Sequence, residues 1–435
     1  MRQFLRRPFA SLREPLSFSP GPLLPKEKLI DEEVYAGYNS KSYYPAKAGE
    51  VLDNRYQLVV KVGWGVSSTV WFALDMRGCE DDPRQIVALK IGNTKEGKNE
   101  YEIEEHIAQA DPSARGLGLL RTSSERFEIT GPEGTHICLA YEPMREPFWL
   151  FRRRFVGDKI PLPVIKAYVR LLLEGLDYLH TKCMVAHTDL KLENIMVDFE
   201  DPDVLLDFMS THLNQPMSYK IDSTGRSVYR RCNDFGPLRA VSNAPRIVDF
   251  GQSDRFYQEN ELGIYPIQAN HYRAPEVILG CGWRMPVDIW SLGALLWDII
   301  HGDELFRQVH DSECRYTANA HLAEMIALLG PPPPKMITRY HSMRELKWPK
   351  AATFNGQGPL CQTTEECFGG PFFDEDGKFL YEELIPDRKL EDTITFLEEE
   401  EREGFLSFVG KMLVWHPSDR ATAAELMEHP FLDVK

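Results

Sequence analysis

Three polar side chains between His187 and Asn194 have the types and spacing that phosphoryl transfer requires. Asp189 would accept the proton of an attacking substrate hydroxyl, and Lys191 would neutralise charge on the transferred γ-phosphoryl group. Asn194, three positions beyond Lys191, would bind Mg²⁺ through its amide oxygen. A charged surface loop could carry the same residues, so this interpretation depends on the elements that would position them.

A second metal ligand is predicted at Asp249, which follows the apolar residues Ile247 and Val248 and begins an Asp-Phe-Gly turn. A carboxylate on a tight turn next to a buried strand is suited to chelate the Mg²⁺ that bridges the β- and γ-phosphates of ATP. Asp-Phe-Gly occurs often by chance, so it supports a metal ligand only because of its position in the chain.

Two glycines, Gly63 and Gly65, lie between two predicted strands and would let main-chain amides approach phosphate oxygens. Trp64 stands between them, and Ser68 is small enough to allow the same close approach. A lone Gly-x-Gly pair is more often an ordinary turn. Here a strand that ends at Lys90 follows, and this order favours a nucleotide site.

Lys90 would contact the α- and β-phosphates, and it needs a carboxylate on the following helix to orient it. Glu100 is the first candidate, and Glu104, one turn later, is the alternative. Only ten positions separate Lys90 from Glu100, which is a short interval for such a pair.

The adenine ring would bind next to the chain that follows the strand predicted at Thr135–Tyr141. The main-chain oxygen of Glu142 and the main-chain amide of Met144 would meet the polar edge of the base. Four apolar side chains would cover its faces: Val62, Val70, Ala88 and Met196. Each could equally be plain core packing, so only their joint placement supports a purine site.

The predicted elements change in character along the chain. The first part is rich in strands, because apolar residues alternate or cluster at Tyr56–Val62, Thr69–Leu74, Ile86–Lys90 and Thr135–Tyr141. A helix is predicted at Glu100–Gln109. Beyond Glu146 the pattern is helical, with long apolar-faced helices at Val164–His180 and Val287–His301. This order predicts an α+β protein with a small strand-rich part before a large helical part.

Three stretches fall outside these elements. Residues 1–49 are rich in Pro, Tyr and charge and are expected to be largely irregular. Asn194 and Asp249 lie 55 positions apart, and residues 198–245 between them are full of turn formers and polar residues. Residues 331–387 mix Gly, Pro and aromatic residues. We therefore predict an N-terminal extension and two insertions.

Two further carboxylates are predicted to support the fold rather than the chemistry. Glu276 should pair with a buried cation, for which Arg420 is the expected partner. Asp288, at the start of the second long helix, should brace the main chain around Asp189.

Charge and composition limit the classes of partner. The chain has 435 residues, 43% hydrophobic and 27% charged, as in an ordinary soluble globular protein. A formal net charge of −16 disfavours nucleic-acid binding and favours basic proteins as partners. No apolar stretch approaches the roughly 20 residues of a membrane span, so no membrane association is expected.

The cysteines and the N-terminus bear on the compartment. Eight cysteines are scattered without paired motifs, which predicts reduced thiols inside the cell. The first fifteen residues are basic, with Arg2, Arg6, Arg7 and Arg13. A disordered basic tail is the simpler interpretation, and a mitochondrial transit peptide is the alternative.

A closer match is carried by four segments: residues 43–56, 62–71, 175–183 and 187–189. They resemble the SR-protein-specific kinase family, and more narrowly fungal SR-kinase-like proteins. The resemblance implies a bilobal protein-kinase fold, with a β-rich N-lobe at 50–145 and a helical C-lobe at 146–435 that contains both insertions. It also implies ATP- and Mg²⁺-dependent transfer to Ser of Arg/Ser-rich splicing factors, by a monomer found in the cytoplasm and nucleus.

The sequence departs from kinase patterns at several positions. Thr188 stands where most kinases carry the Arg that clamps a phosphorylated activation loop, so we expect activity without loop phosphorylation. Ala269 replaces a Thr that usually bridges the catalytic Asp and Lys. Leu192 replaces the usual Pro, and Phe250 replaces the Leu more usual in this family. The alternative function is a pseudokinase, which would bind ATP as a scaffold without turnover.

Overall fold

The structure is a computed structural model that describes residues 14–77, 86–94, 98–354 and 357–433. The basic N-terminal arginines and Cys79 lie outside these ranges. The chain forms two compact units. Of the described residues, the first unit contains those up to Glu105 together with Arg121–Glu146 and Val197–Asn243. The second contains His106–Leu120, Pro147–Met196 and the described residues from Ala244 onward.

A six-stranded antiparallel sheet forms the first unit, with strand order β1-β2-β3-β4-β6-β5. The predicted strands are present, with slightly wider bounds, and two further strands occur at the edges of the sheet. The strands are β1 (Val51–Leu52), β2 (Tyr56–Trp64), β3 (Ser68–Asp75), β4 (Ile86–Gly92), β5 (Glu125–Gly131) and β6 (Gly134–Tyr141). The predicted helix is α1 (Lys98–Ala110).

The insertion before Asp249 packs onto this sheet. Its helix α4 (Pro202–Asn214) buries an apolar face in the same core as Leu58 and Phe72. The ring of Phe208 on α4 lies 6.1 Å from that of Phe72 and 4.4 Å from that of Phe235. The two units therefore do not follow the boundary expected between residues 145 and 146. Residues 197–243 group with the sheet, although Met196 before them and Ala244 after them belong to the helical unit.

The N-terminal extension also belongs to the first unit. It contains two short 3-10 helices, Asp31–Val34 and Ser40–Ser42, and is otherwise irregular from residue 14 to 49. Buried ion pairs attach it to the sheet and to the insertion: Lys61 on β2 pairs with Asp31 and Glu32, and Lys220 pairs with Glu33. The insertion supplies Lys220 from a hairpin of strands β10 (Tyr219–Ile221) and β11 (Ser227–Tyr229).

The second unit is mainly helical. The two long predicted helices are α3 (Leu162–Thr181) and α6 (Pro286–Ile300). Almost every residue of α6 is buried, as expected of a helix that is apolar on all sides. The other helices are α2 (Phe148–Phe151), α5 (Pro275–Ile278), α7 (Ala318–Leu329), α8 (Pro334–Met343), α9 (Thr364–Phe368), α10 (Glu399–Val409) and α11 (Ala423–Met427).

The remaining strands are short. They are β7 (Glu146–Pro147), β8 (Val185–Ala186), β9 (Ile195–Val197), β12 (Pro245–Ile247), β13 (Asp254–Arg255), β14 (Ala352–Phe354) and β15 (Gln357–Cys361). The second insertion, predicted at 331–387, contains α8, the β14–β15 hairpin and α9. Among the residues described, no helix combines the length and the apolar character that crossing a membrane would require.

Candidate active site

The predicted phosphate-binding glycines lie at the turn between β2 and β3. Gly63 pairs with Val70 across the two strands, and the Gly65 amide donates a hydrogen bond of 2.8 Å to the main-chain oxygen of Ser68. Trp64 is the last residue of β2 and is partly exposed. A Cβ added at Gly65 would meet no atom within 4 Å, so open space lies beside this residue. That space fits the approach of a phosphate group to the main chain.

Lys90 and Glu100 form an ion pair in the first unit. Lys90 Nζ lies 2.5 Å from Glu100 Oε1, and the two side chains are 17% and 6% exposed. The short sequence interval is compatible with this contact because α1 begins at Lys98, soon after β4 ends at Gly92. Of the two carboxylates proposed to orient Lys90, the structure therefore brings Glu100 to it.

Glu104, the alternative candidate, has different partners. Its Oε1 accepts a 2.9 Å hydrogen bond from the hydroxyl of Tyr141, and its Oε2 accepts one of 2.9 Å from the amide of Ser123. Burial, together with the nearby Glu100 carboxylate, raises the pKa of Glu104 to about 7. The same Tyr141 hydroxyl lies 3.3 Å from Glu100 Oε1. Sequence reasoning missed this buried group of polar side chains.

Part of the predicted adenine-binding surface lies on one face of the sheet. Val70 pairs with Lys90, and Ala88 on the same strand pairs with Tyr141. Because alternate residues and direct cross-strand partners share a face, Val70, Ala88 and Lys90 face the same side. The other two predicted residues are placed separately: Val62 is partly exposed near the end of β2, and Met196 lies on β9.

The main-chain oxygen of Glu142 has a partner that the sequence did not indicate. Arg121 donates to it from Nε at 3.2 Å and from Nη2 at 2.9 Å. The guanidinium group also lies 4.6 Å from the ring centre of Tyr141. An adenine amine at this position would share the oxygen with Arg121. Met144, whose amide is the other predicted contact, is 2% exposed.

In the second unit, the three predicted catalytic-loop residues are in mutual contact. Lys191 Nζ lies 2.6 Å from Asp189 Oδ2. Asn194 Nδ2 donates to the same oxygen at 3.0 Å and to the main-chain oxygen of Asp189 at 2.9 Å. Since the amide nitrogen of Asn194 faces Asp189, its Oδ1 is the atom of this side chain that can coordinate a cation.

The predicted supporting contacts are confirmed. The carboxylate of Asp288 accepts hydrogen bonds from the amides of His187 and Thr188 at 2.8 and 2.9 Å, and thus fixes the main chain next to Asp189. Glu276 and Arg420 form a fully buried two-point ion pair with distances of 2.8 and 3.0 Å.

Asp249 follows β12 and is exposed, with a φ of 68°, a conformation uncommon for a residue with a Cβ. The amide of Val248 donates a 3.0 Å hydrogen bond to the main-chain oxygen of Asn194, so the two proposed metal ligands lie on hydrogen-bonded segments. A carboxylate and an amide oxygen are ligands that suit Mg²⁺. When bound, such a cation would supply positive charge next to the phosphates.

Thr188 links the catalytic loop to the activation segment, the stretch from Asp249 to Glu276. Its Oγ1 donates a 2.7 Å hydrogen bond to the main-chain oxygen of Gln252. Strand β13 in that segment also pairs with β8, which precedes the catalytic loop. Near Ala269, the buried side chain of Gln268 binds Ser291 Oγ at 2.7 Å and the Ala274 amide at 2.9 Å. These contacts anchor the segment to the rest of the second unit.

Comparison with known proteins decides the family. The sequence model of the protein kinase domain matches residues 56–231 and 238–432. The chain belongs to the protein kinase family. It is 31% identical to a serine/threonine protein kinase of Aspergillus fumigatus, over 99% of this chain and 98% of the relative. It is 30% identical to serine/threonine-protein kinase SRPK of Physarum polycephalum, over 92% and 91% of the two chains.

More distant matches agree. The chain is 24% identical to the SRSF protein kinase 3 of Sus scrofa, over 93% of this chain and 90% of the relative. A crystal structure of another kinase domain superposes with a TM-score of 0.63 at 22% identity, over 91% of this chain and 100% of that one, which shows the shared fold. The predicted kinase fold and SR-kinase-like family are thus confirmed. The protein is a serine/threonine protein kinase related to the SRSF protein kinases, with ATP as substrate and a need for a divalent metal.

Proposed function

We propose that this kinase transfers the γ-phosphate of ATP, with Mg²⁺ as the divalent cation, to serines in Arg/Ser-rich proteins of the splicing-factor type. The observation that carries this proposal is the 30% identity to the Physarum SRPK over 92% of the chain. The likeness covers both compact units rather than a single motif.

The charges around the catalytic loop support an arginine-rich substrate. Glu193 is exposed in this loop, and the ring of Tyr272 lies within electrostatic range of Glu193 and Glu304. Tyr272 donates a hydrogen bond to the carboxylate of Asp298, which is buried and holds the ring in place. Guanidinium groups pair well with carboxylates, so Glu193 and Glu304 would attract arginines that flank the serine to be phosphorylated. The net charge of −16 also favours the approach of an arginine-rich substrate.

The first experiment is phosphate transfer from labelled ATP and Mg²⁺ to three peptides: an Arg-Ser repeat, the matching Lys-Ser repeat and an Arg-poor serine peptide. We expect transfer to the Arg-Ser peptide above the other two, because only arginine offers a planar two-point donor to a carboxylate. The Asp189→Asn protein should bind ATP but transfer no phosphate. Equal transfer to all three peptides would refute the substrate class while leaving the kinase activity established.

A second experiment locates the specificity. The double change Glu193→Gln with Glu304→Gln should raise KM for the Arg-Ser peptide about tenfold and leave KM for ATP unchanged, as expected from the loss of two charge-assisted contacts. The control removes two equal charges elsewhere in the second unit, with Glu399→Gln and Glu400→Gln in the exposed first turn of α10. The same rise in both proteins would mean that net charge, rather than these two acids, attracts the substrate.

The comparisons support turnover and do not favour the alternative of an ATP-binding scaffold. We further propose that the protein acts as a monomer in the cytoplasm and nucleus. Light scattering of the purified chain and imaging of a fluorescent fusion would test these two points. A dimer, or a mitochondrial signal, would contradict them.

A further inference from the structure

A tyrosine of the N-terminal extension contacts the turn that carries the predicted phosphate-binding glycines. The hydroxyl of Tyr43 lies 3.0 Å from the main-chain oxygen of Gly65 and 2.8 Å from that of Val66. Tyr43 is 4% exposed, so it makes these contacts from a buried position. No sequence pattern indicates this contact between residues 22 and 23 positions apart.

The turn itself has little apolar packing. The side chain of Val66 is 57% exposed, and a Cβ at Gly65 would meet nothing within 4 Å. Polar contacts hold it instead: besides Tyr43, Asn93 Nδ2 donates a 3.0 Å hydrogen bond to the Val66 oxygen, and the Asn93 amide donates one of 2.8 Å to the Ser67 oxygen. The conformation of the turn therefore depends on a few hydrogen bonds to its main-chain oxygens.

The direction of these bonds matters for a phosphate. In a planar trans peptide the C=O and N–H point in opposite directions. When the oxygens of Gly65 and Val66 are held towards Tyr43, the N–H groups of Val66 and Ser67 are turned away from it. Successive main-chain N–H groups that point to one side form an anion-binding concavity. The contacts of Tyr43 thus favour an orientation of the turn in which these two N–H groups are available to a phosphate.

The segment that carries Tyr43 is itself held by the first insertion. Arg226, which follows the turn of the β10–β11 hairpin, donates to the main-chain oxygens of Ser40, Tyr43 and Tyr44, the last two at 2.8 and 2.9 Å. The amide of Thr94 donates a 3.1 Å hydrogen bond to the Ser42 oxygen. The contacts therefore run from the insertion, through Arg226, to the segment 40–44 and on to the phosphate-binding turn.

We infer that Tyr43 is a positioning residue for ATP: held by Arg226 of the insertion, its hydroxyl fixes the glycine turn so that the main-chain amides of the turn are ready for the phosphates. This inference rests on the proposed role of that turn in ATP binding. It gives the N-terminal extension and the first insertion a shared task, which is to preorganise the nucleotide site. Preorganisation lowers the entropy that binding costs, so it should appear as ATP affinity.

The test is Tyr43→Phe in the full chain, which removes one oxygen atom. We expect the Kd and the KM for ATP to rise about three- to tenfold, the range for one hydrogen bond, with kcat and the peptide KM changed less than about twofold. The matched control is Tyr44→Phe, because the neighbouring hydroxyl donates to Glu50 Oε1 at 2.6 Å rather than to the turn. Tyr44→Phe should leave ATP affinity unchanged.

Arg226→Met is the second variant and tests the connection to the insertion. It should also raise the Kd for ATP. In the double variant with Tyr43→Phe the two effects should not add, since both act on the same turn. Unchanged ATP affinity in either variant, or an equal loss in Tyr44→Phe, would overturn the inference. The Kd is measured without a peptide, so the result does not depend on the substrate class. A wild-type chain that binds no ATP would instead refute the proposed function of the turn.

Discussion

Thr188 Oγ1 donates a 2.7 Å hydrogen bond to the main-chain oxygen of Gln252, and this bond ties the catalytic loop directly to the start of the activation segment. Most kinases carry an arginine at this position, where it holds a phosphate on that segment. Here the hydroxyl reaches the main chain itself. Ser253 Oγ donates a 3.1 Å hydrogen bond to the main-chain oxygen of His187. Each of the two segments therefore donates one hydrogen bond to the other.

Thr188→Val tests the importance of this bond, because valine keeps the shape of threonine but cannot donate. We expect kcat to fall about three- to tenfold, as the activation segment loses one anchoring hydrogen bond of about 1 kcal/mol. Thr188→Ser keeps the hydroxyl and should retain most of the activity. The measurement is steady-state kinetics on unphosphorylated protein. Equal rates for the valine and serine variants would show that the hydroxyl does not support the active arrangement.

The roles of the two carboxylates on α1 can be separated by activity. Glu100→Gln removes the carboxylate charge that attracts the Lys90 ammonium and should lower kcat/KM for ATP at least tenfold, because the ion pair becomes a weaker hydrogen bond to a neutral amide. Glu104→Gln leaves that ion pair in place and should retain most of the activity. If Glu104→Gln were the more damaging change, Glu104 would be the residue that orients Lys90 during turnover.

Glu104 should also make stability depend on pH. Its carboxyl has a pKa of about 7 in the folded chain against an ordinary value of 4.5, so folding favours the neutral form. The stability associated with this neutral form is fully present below pH 4.5 and is lost as pH rises through about 7. Glutamine mimics the neutral form: it can accept from the Ser123 amide and donate to the Tyr141 oxygen.

Glu104→Gln should therefore unfold at a higher temperature than the wild type at pH 8. The expected increase in the free energy of unfolding is up to about 3 kcal/mol. The gain should shrink as pH falls and disappear near pH 4, where the wild-type carboxyl is protonated in both the folded and the unfolded chain. Glu102→Gln, on the exposed side of α1, is the control and should show no such pH dependence. Thermal unfolding across this pH range checks the prediction, and a pH-independent difference would contradict it.

Much of the fold could be predicted because the relevant signals are local. Strands β2 and β4 and the helices at 162–181 and 286–300 follow from apolar periodicity and appear within a few residues of their expected bounds. The contacts around Asp189 and the pair Glu276–Arg420 could be expected from motif spacing. Strand β5 was missed because it is an edge strand in which alternate residues are exposed, and Glu125 and Arg126 hide its pattern.

What could not be predicted depends on contacts between distant parts of the chain. The placement of α4 on the sheet is set by Phe208 meeting Phe72, and nothing in the local sequence of either residue indicates the other. The same holds for Arg121 at the Glu142 oxygen and for Tyr43 at the glycine turn. The last two contacts join side chains to main-chain oxygens, which carry no sequence signal.

The buried pair Glu276–Arg420 should be important for the stability of the second unit. Arg420→Met removes one partner and leaves the Glu276 carboxylate buried without its cation, so we expect a loss of about 3–5 kcal/mol in the free energy of unfolding. The control is Lys335→Met, which breaks the ion pair between Lys335 and Asp419, whose side chains are 45% and 46% exposed, and should cost under about 1 kcal/mol. Chemical denaturation followed by tryptophan fluorescence is the measurement, and the Trp290 ring, 5.2 Å from the Arg420 guanidinium, contributes to the signal. Similar losses in the two variants would mean that burial does not distinguish these ion pairs.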